Sequence, residues 1–346
     1  TETMKALVLK AYSHFEYMEV PQPVPGPDEV LVEVKACGIC GSDVHGMDGS
    51  TGRRIPPLIM GHEASGVVAE AGEWVKSWLP GDRVTFDSTV YCGRCSYCQN
   101  GQTNLCERRQ VLGVSCGDYR RDGAFAEYVV VPERILYRLP DRLSFEHAAM
   151  VEAVSIAAHA VRRAAVKATD TVVVVGTGMI GLLVVQALRL AGCQRMIAVD
   201  KDLKRLEMAL RLGANEKLEV GRVDVAEAIR ELTKGRGADV AMEVVGLNEA
   251  VKTAIASVRR GGRVTLVGNL SPTVELPIQR VVTNELELSG SCAASGEYPT
   301  CLEWMAAGAI QVAPLISAVA PLAEGPRWFD SLRKGQPNLL KVILKP

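Results

Sequence analysis

The stretch TVVVVGTGMIGLL, residues 171–183, limits the fold more than any other part of this 346-residue chain. Four consecutive valines do not suit a half-exposed strand, which alternates polar and apolar. They suit a strand buried on both faces. Three glycines follow as Gly176-x-Gly178-x-x-Gly181, and apolar residues then run on at helical length to Leu190. The same alternation repeats downstream: MIAVD ends at Asp200, a helical segment reaches Leu212, and residues 239–245 and 263–267 are further apolar strands. Buried strands separated by helices predict a parallel, doubly wound α/β sheet.

A G-x-G-x-x-G pattern alone is weak, but here a strand precedes it, a helix follows, and Asp200 closes the next strand nineteen residues past Gly181. That context predicts a dinucleotide site. Gly176 permits the tight turn, Gly178 lets a pyrophosphate reach the backbone, and Gly181 lets the helix pack against the sheet. The helix N-terminus offers N–H donors to the phosphates. Asp200 is expected to bind the adenosine ribose 2′-hydroxyl and to repel a 2′-phosphate, which favours NAD over NADP. Lys201, Lys204 and Arg205 weaken that preference, because they can neutralise a phosphate.

The first 143 residues have a different texture. Residues 30–36 alternate, residues 65–70 and 83–86 read as short strands, and residues 124–131 end at Pro132, which stops a ladder. Prolines at 21, 23, 25 and 27 mark a stiff connection. The reading is an all-β, barrel-like domain with long loops. Residues 144–166, rich in Ala and Val, predict one long helix capped by Ser144. The tail NLLKVILKP predicts a last strand, and residues 281–289 a candidate edge strand.

Four of the ten cysteines, Cys92, Cys95, Cys98 and Cys106, follow the spacing C-x2-C-x2-C-x7-C. A bacterial ferredoxin run would need its fourth cysteine sooner and followed by proline, whereas here Glu107 follows. Four thiolates around one closed-shell ion make a structural zinc site, and the intervening residues are too polar to fold around a core of their own. Free or redox thiols and an iron–sulfur cluster are the competing readings. Cys40, in CGICGSDVH, and His62-Glu63, in GHEASGVV, form a second candidate set. Glu152 joins it, because a carboxylate among Ala, Met and Val is costly unless paired or bound to metal. Taken singly, His62 could be a core histidine, Glu152 a helix-surface residue, and Cys37 a small buried one.

Acids and bases nearly balance, with a net charge of −1. That argues against a nucleic-acid or acidic-membrane partner, because those need a basic field. No apolar run reaches membrane-spanning length and the opening residues show no signal-peptide pattern, so a cytoplasmic protein is expected.

The motifs GICGSDVH, GHEASGVV, the four-cysteine loop, DGAFAEY and VVVVGTGMIGLL, in this order, resemble the zinc-dependent medium-chain alcohol and polyol dehydrogenases over nearly the whole chain. The resemblance implies a GroES-like β-barrel catalytic domain (residues 1–153, with 292–346 returning to it) and a Rossmann NAD-binding domain (154–291), with the active site in the cleft between them. It implies a catalytic zinc held by Cys40 and His62, with Glu63 and Glu152 as direct or near ligands. It further implies a structural zinc on Cys92, Cys95, Cys98 and Cys106, and a proton relay through Ser42 and His45. Asp43 would orient the zinc-bound histidine. Ile180, Arg205, Val245, Gly268 and Asn269 complete the expected cofactor-binding set.

The implied activity is NAD-dependent oxidation of a secondary alcohol of a polyol or its phosphate to the ketone, by a homodimer or homotetramer. Glutamate at 152, where alcohol dehydrogenases place cysteine, points towards polyols. Two departures matter. Ala153 follows Glu152 where polyol members often have proline, and Ser291-Cys-Ala-Ala294 stands where sorbitol dehydrogenases have Phe-Arg-Tyr. The second points away from sorbitol itself. It leaves a sugar-alcohol phosphate, a cyclic polyol, or a β-hydroxy amino acid such as L-threonine.

Overall fold

A computed structural model describes residues 2–346. The chain forms two compact units, one of residues 1–152, 295–308 and 312–346, the other of residues 153–294 with 309–311.

The first unit is built on a seven-stranded sheet. Its centre is the strand Glu29–Gly38, antiparallel to Glu63–Ala71, to Tyr128–Pro132 and to the final strand Lys341–Lys345. The last strand also lies parallel to Ile316–Pro321, so the tail returns to the sheet that the first forty residues begin. Alternation in Glu29–Gly38 places Val30, Val32 and Val34 in a core with Leu7, Leu9, Phe125 and Phe329. Burying such side chains contributes about 1.5–3 kcal/mol each. Upstream of Tyr128 the predicted ladder gives way to single backbone bonds, from Ala124 N–H to Gly61 and from Phe125 N–H to Met60.

The predicted helix over 144–166 is two helices, Phe145–Ala148 and Val151–Ala164. Ser144 does cap the first, its hydroxyl accepting from His147 N–H at 3.2 Å. Ala149 and Met150, between the two helices, are buried, as are the first five residues of Val151–Ala164.

The second unit is the parallel, doubly wound sheet expected from the valine run. Six strands stand in the order Glu216–Glu219, Arg195–Asp200, Thr171–Val175, Ala238–Glu243, Val258–Leu266, Glu287–Gly290, every pairing parallel. The order reverses beside Thr171–Val175, which makes its carboxyl end the switch point where ligands bind in such sheets. Residues 281–289 are strand only in their second half. Ile278–Thr283 is helical, because Arg280 donates to the carbonyls of Ile255 and Ala256 and docks the segment on the end of the neighbouring helix.

Candidate active site

In the first unit a short helix, Gly41–Gly46, starts directly after Cys40. Asp43 in its first turn accepts from the Cys40 N–H at 3.3 Å and so fixes the cysteine at the helix start. Asp43 is fully buried and is held from two further sides. Arg54 donates to its Oδ1 at 3.0 Å, and His62 Nδ1 stands 3.4 Å from the same oxygen. Burial opposes the charge on Asp43, but His62 and Arg54 outweigh it and hold the carboxyl at about 2. The His62 contact is an ion-pair approach rather than an aligned hydrogen bond. With Nδ1 turned to Asp43, Nε2 is the nitrogen left to ligate.

Cys40, His62 and Glu63 bring one ligand atom each to within 4.8 Å of one another. Glu63 follows His62 at the start of its strand and is buried. One Glu63 oxygen is engaged by Lys341 Nζ, and the same ammonium donates to the Ile39 carbonyl at 3.0 Å. Lys341 is itself buried. Burial works against its charge, and Glu63 more than restores it. Glu152 opens the helix Val151–Ala164 and is 8% exposed. Burial, with the charge of Glu63 added, pushes its carboxyl up to about 7. A fixed cation near these two carboxylates would relieve that cost, so the sulfur, nitrogen and oxygen donors suit a zinc ion. The Ser42 hydroxyl donates to Cys40 Sγ at 3.3 Å, while His45, one turn on, is exposed.

The four-cysteine loop is a second donor cluster. Its sulfurs all lie within 4.8 Å of one another. A tetrahedron with Zn–S of about 2.3 Å has edges of about 3.8 Å, so four thiolates of this spread fit one zinc ion. The backbone prepares them for it. Cys92 and Arg108 N–H groups point at Cys106 Sγ, at 3.2 and 3.4 Å. The N–H groups of Arg94 and Cys95 pull the Cys92 thiol down to about 6, while burial pushes Cys98 up to about 12.

In the second unit the glycine turn has the predicted geometry. Gly176 has φ of +94°, and a Cβ there would meet Val245 at 2.4 Å. A Cβ at Gly181 would meet the Gly176 carbonyl at 1.9 Å, so helix and strand require glycine there. Around Gly178 only Arg205 lies near, which leaves the turn open to a phosphate. Asp200 does more than the sequence implied. Its Oδ2 accepts from the Thr177 N–H at 2.7 Å and the Thr177 hydroxyl at 3.1 Å, and its Oδ1 accepts from Asp202 N–H at 2.9 Å. Ile180 lies in the first turn of the helix Met179–Leu190, and Val245, Gly268 and Asn269 stand just past the next two strands. Sequence reasoning missed Arg54, Thr177 and Lys341. Their partners Asp43, Asp200 and Glu63 stand 11, 23 and 278 positions away, and none of the three falls in a ligand-type spacing.

Comparison with known proteins agrees with this geometry. Residues 26–141 match the alcohol dehydrogenase GroES-like domain, and residues 180–307 match the zinc-binding dehydrogenase domain. The chain is 34% identical to sorbitol dehydrogenase of Bacillus subtilis, over 100% of this chain and 98% of that one. It is 33% identical to D-arabitol-phosphate dehydrogenase of Enterococcus avium, over 100% and 98% respectively. A putative zinc-binding dehydrogenase from Sinorhizobium meliloti, solved bound to NADP, superposes with a TM-score of 0.91 at 35% identity over the full length of both chains. Among the described residues, no helix is long and apolar enough to cross a membrane. With both family domains in order and relatives matching end to end, this chain belongs to the zinc-dependent medium-chain alcohol and polyol dehydrogenases.

Proposed function

We propose that this enzyme oxidises a secondary hydroxyl of a polyol, or of a polyol phosphate, to the ketone, with NAD as hydride acceptor. The carrying observation is the donor set: one thiol, one imidazole and one carboxylate converge at Cys40, His62 and Glu63, with Glu152 buried in place of a second thiol. The names of the relatives, sorbitol and D-arabitol-phosphate dehydrogenases, point to the same substrate class.

In this reading Cys40 and His62, with Glu63 or Glu152, hold a catalytic zinc, which when bound supplies a Lewis acid for the substrate oxygen. The Ser42 hydroxyl, beside Cys40, would accept the substrate's hydroxyl proton while releasing its own, which the exposed His45 would hand to water. Asp43 keeps the His62 ring in its ligating tautomer. Cys92, Cys95, Cys98 and Cys106 hold a structural zinc. The Asp200 carboxylate, fixed by Thr177 and Asp202, favours a free ribose 2′-hydroxyl and therefore NAD; a relative bound to NADP makes that preference worth measuring. The catalytic unit is taken as the GroES-like segments and the cofactor unit as the Rossmann segment. A homo-oligomer is supported by the strand Glu287–Gly290, which ends its sheet, and by Ile278 and Val282, apolar and exposed in the preceding segment.

The test is the initial rate of NAD reduction by the zinc-loaded protein with polyols, polyol phosphates and L-threonine, each with a chelator control. Chelator-sensitive rates on polyols or their phosphates are expected. A rate on L-threonine alone would overturn the substrate assignment.

A further inference from the structure

Glu243 closes the strand Ala238–Glu243 at the carboxyl edge of the parallel sheet, and it is completely buried. In the sequence it lies inside an apolar strand and carries no motif. Its side chain curls back on the loop that follows: Oε1 accepts from the N–H groups of Val245 and Gly246, both at 2.8 Å. Its main-chain carbonyl serves the adjacent loop, accepting from Val267 N–H at 2.8 Å and Gly268 N–H at 3.1 Å. One residue thus ties down the loops after the two strands nearest the switch point on this side.

The two loops touch with no room for a side chain between them. A Cβ on Gly268 would stand 2.1 Å from Gly246 N, and Ser271 N–H donates to the Gly246 carbonyl at 2.9 Å. Val245 packs against Gly176, the first glycine of the phosphate turn. In a sheet of this order the pyrophosphate lies at that turn and the adenosine ribose at Asp200, on the side of Arg195–Asp200. The nicotinamide half must therefore lie on the other side, along the loops that Glu243 fixes. The remaining oxygen, Oε2, is buried without a hydrogen-bond partner. An ionised carboxylate in that setting is expensive, and burial does push the group up. The work the geometry shows is hydrogen-bond acceptance by Oε1 from two backbone N–H groups, which a glutamine oxygen at the same place can also perform.

We infer that Glu243 is a positioning residue for the nicotinamide half of the cofactor, acting as the acceptor that sets the loops at 244–247 and 267–270. This deepens the NAD reading and rests on it. Thr177 and Asp200 anchor the adenosine half separately, so the two halves can be tested apart.

The experiment measures binding of NADH and of ADP-ribose, which lacks the nicotinamide ring, to the zinc-loaded protein and to Glu243→Ala and Glu243→Gln, by titration calorimetry. Glu243→Ala should weaken NADH at least tenfold and leave ADP-ribose within twofold. Glu243→Gln, which retains an oxygen acceptor, should hold both within about threefold of wild type. Equal losses of both ligands in Glu243→Ala, or no loss of either, would overturn the inference. So would a glutamine variant as weak as the alanine one, since an oxygen acceptor at this position would then not be what sets the loops. If wild type binds neither ligand, the cofactor reading itself fails, a result distinct from all of these. Should Glu243→Ala not fold, the glutamine variant together with Gly268→Ala, which wedges the two loops apart, decides by the same NADH to ADP-ribose contrast.

Discussion

Cys92, Cys95, Cys98 and Cys106 come from one short loop whose Ser96–Gln99 helix buries no residue. Cys40 comes from the start of one helix and the adjacent His62 and Glu63 from the start of a strand, with Asp43, Arg54 and Lys341 already paired around them. On the proposed reading these are two ways of making a metal centre. In the loop the donors are local and the helix between them buries nothing, so a bound ion would supply the shape. In the buried set the fold supplies the shape, and the charges of Asp43 and Glu63 are already balanced by Arg54 and Lys341.

The sharpest way to break this comparison is to remove one donor from each centre. Cys40→Ser should lower kcat/KM on the order of 10³-fold, the size expected when several kcal/mol of transition-state stabilisation are lost, with little change in Tm. Cys95→Ser should do the opposite, lowering Tm by about 5–10 °C while kcat/KM of the folded enzyme stays within about threefold. Thermal melts and initial rates on both variants decide it, and matching profiles would erase the distinction.

A smaller effect is expected at the charges that shape the buried centre. Asp43→Ala strands Arg54 and His62 in the core and should cost about 3 kcal/mol in urea unfolding. The pH dependence carries the same sign. Because the folded carboxyl lies at about 2 against an ordinary 3.8, its contribution is present above pH 4 and is lost as pH falls from 4 to 2. The loss should amount to about 2 kcal/mol and should be absent from the Asp43→Ala curve.

Glu152 should behave in reverse. Its carboxyl is raised from 4.5 to about 7, so it destabilises the metal-stripped protein as pH climbs through that interval. Glu152→Gln should therefore add about 1–3 kcal/mol to the metal-stripped protein at pH 8 and nothing at pH 4. In the zinc-loaded protein the gain should vanish, which separates a ligand-side carboxylate from one that is merely buried.

Much of this organisation was legible in the sequence for a physical reason. A four-cysteine spacing and a strand-glycine-helix turn are local patterns, and local patterns survive in one dimension. The strands Arg83–Phe86 and Thr171–Val175 and the end of the helix at Leu190 fell where the residues indicated. Failures occurred where a distant contact decides. The helical turn at Ile278–Thr283 goes with Arg280 reaching another helix, and the helix break after Ala148 has no glycine or proline beside it to mark it in the sequence. Lys341 read as an ordinary strand residue, because its partner is Glu63, and Glu243 was hidden by its apolar neighbours.

The Glu63–Lys341 pair has a consequence in time. The two residues are 278 positions apart. At a synthesis rate of about 5–20 residues per second, Glu63 waits roughly 15–55 s for its lysine, whereas the cysteine loop is complete about 1–3 s after its first thiol emerges. A newborn chain thus carries the cysteine loop complete for tens of seconds before the pair that ties Glu63 to the last strand can form.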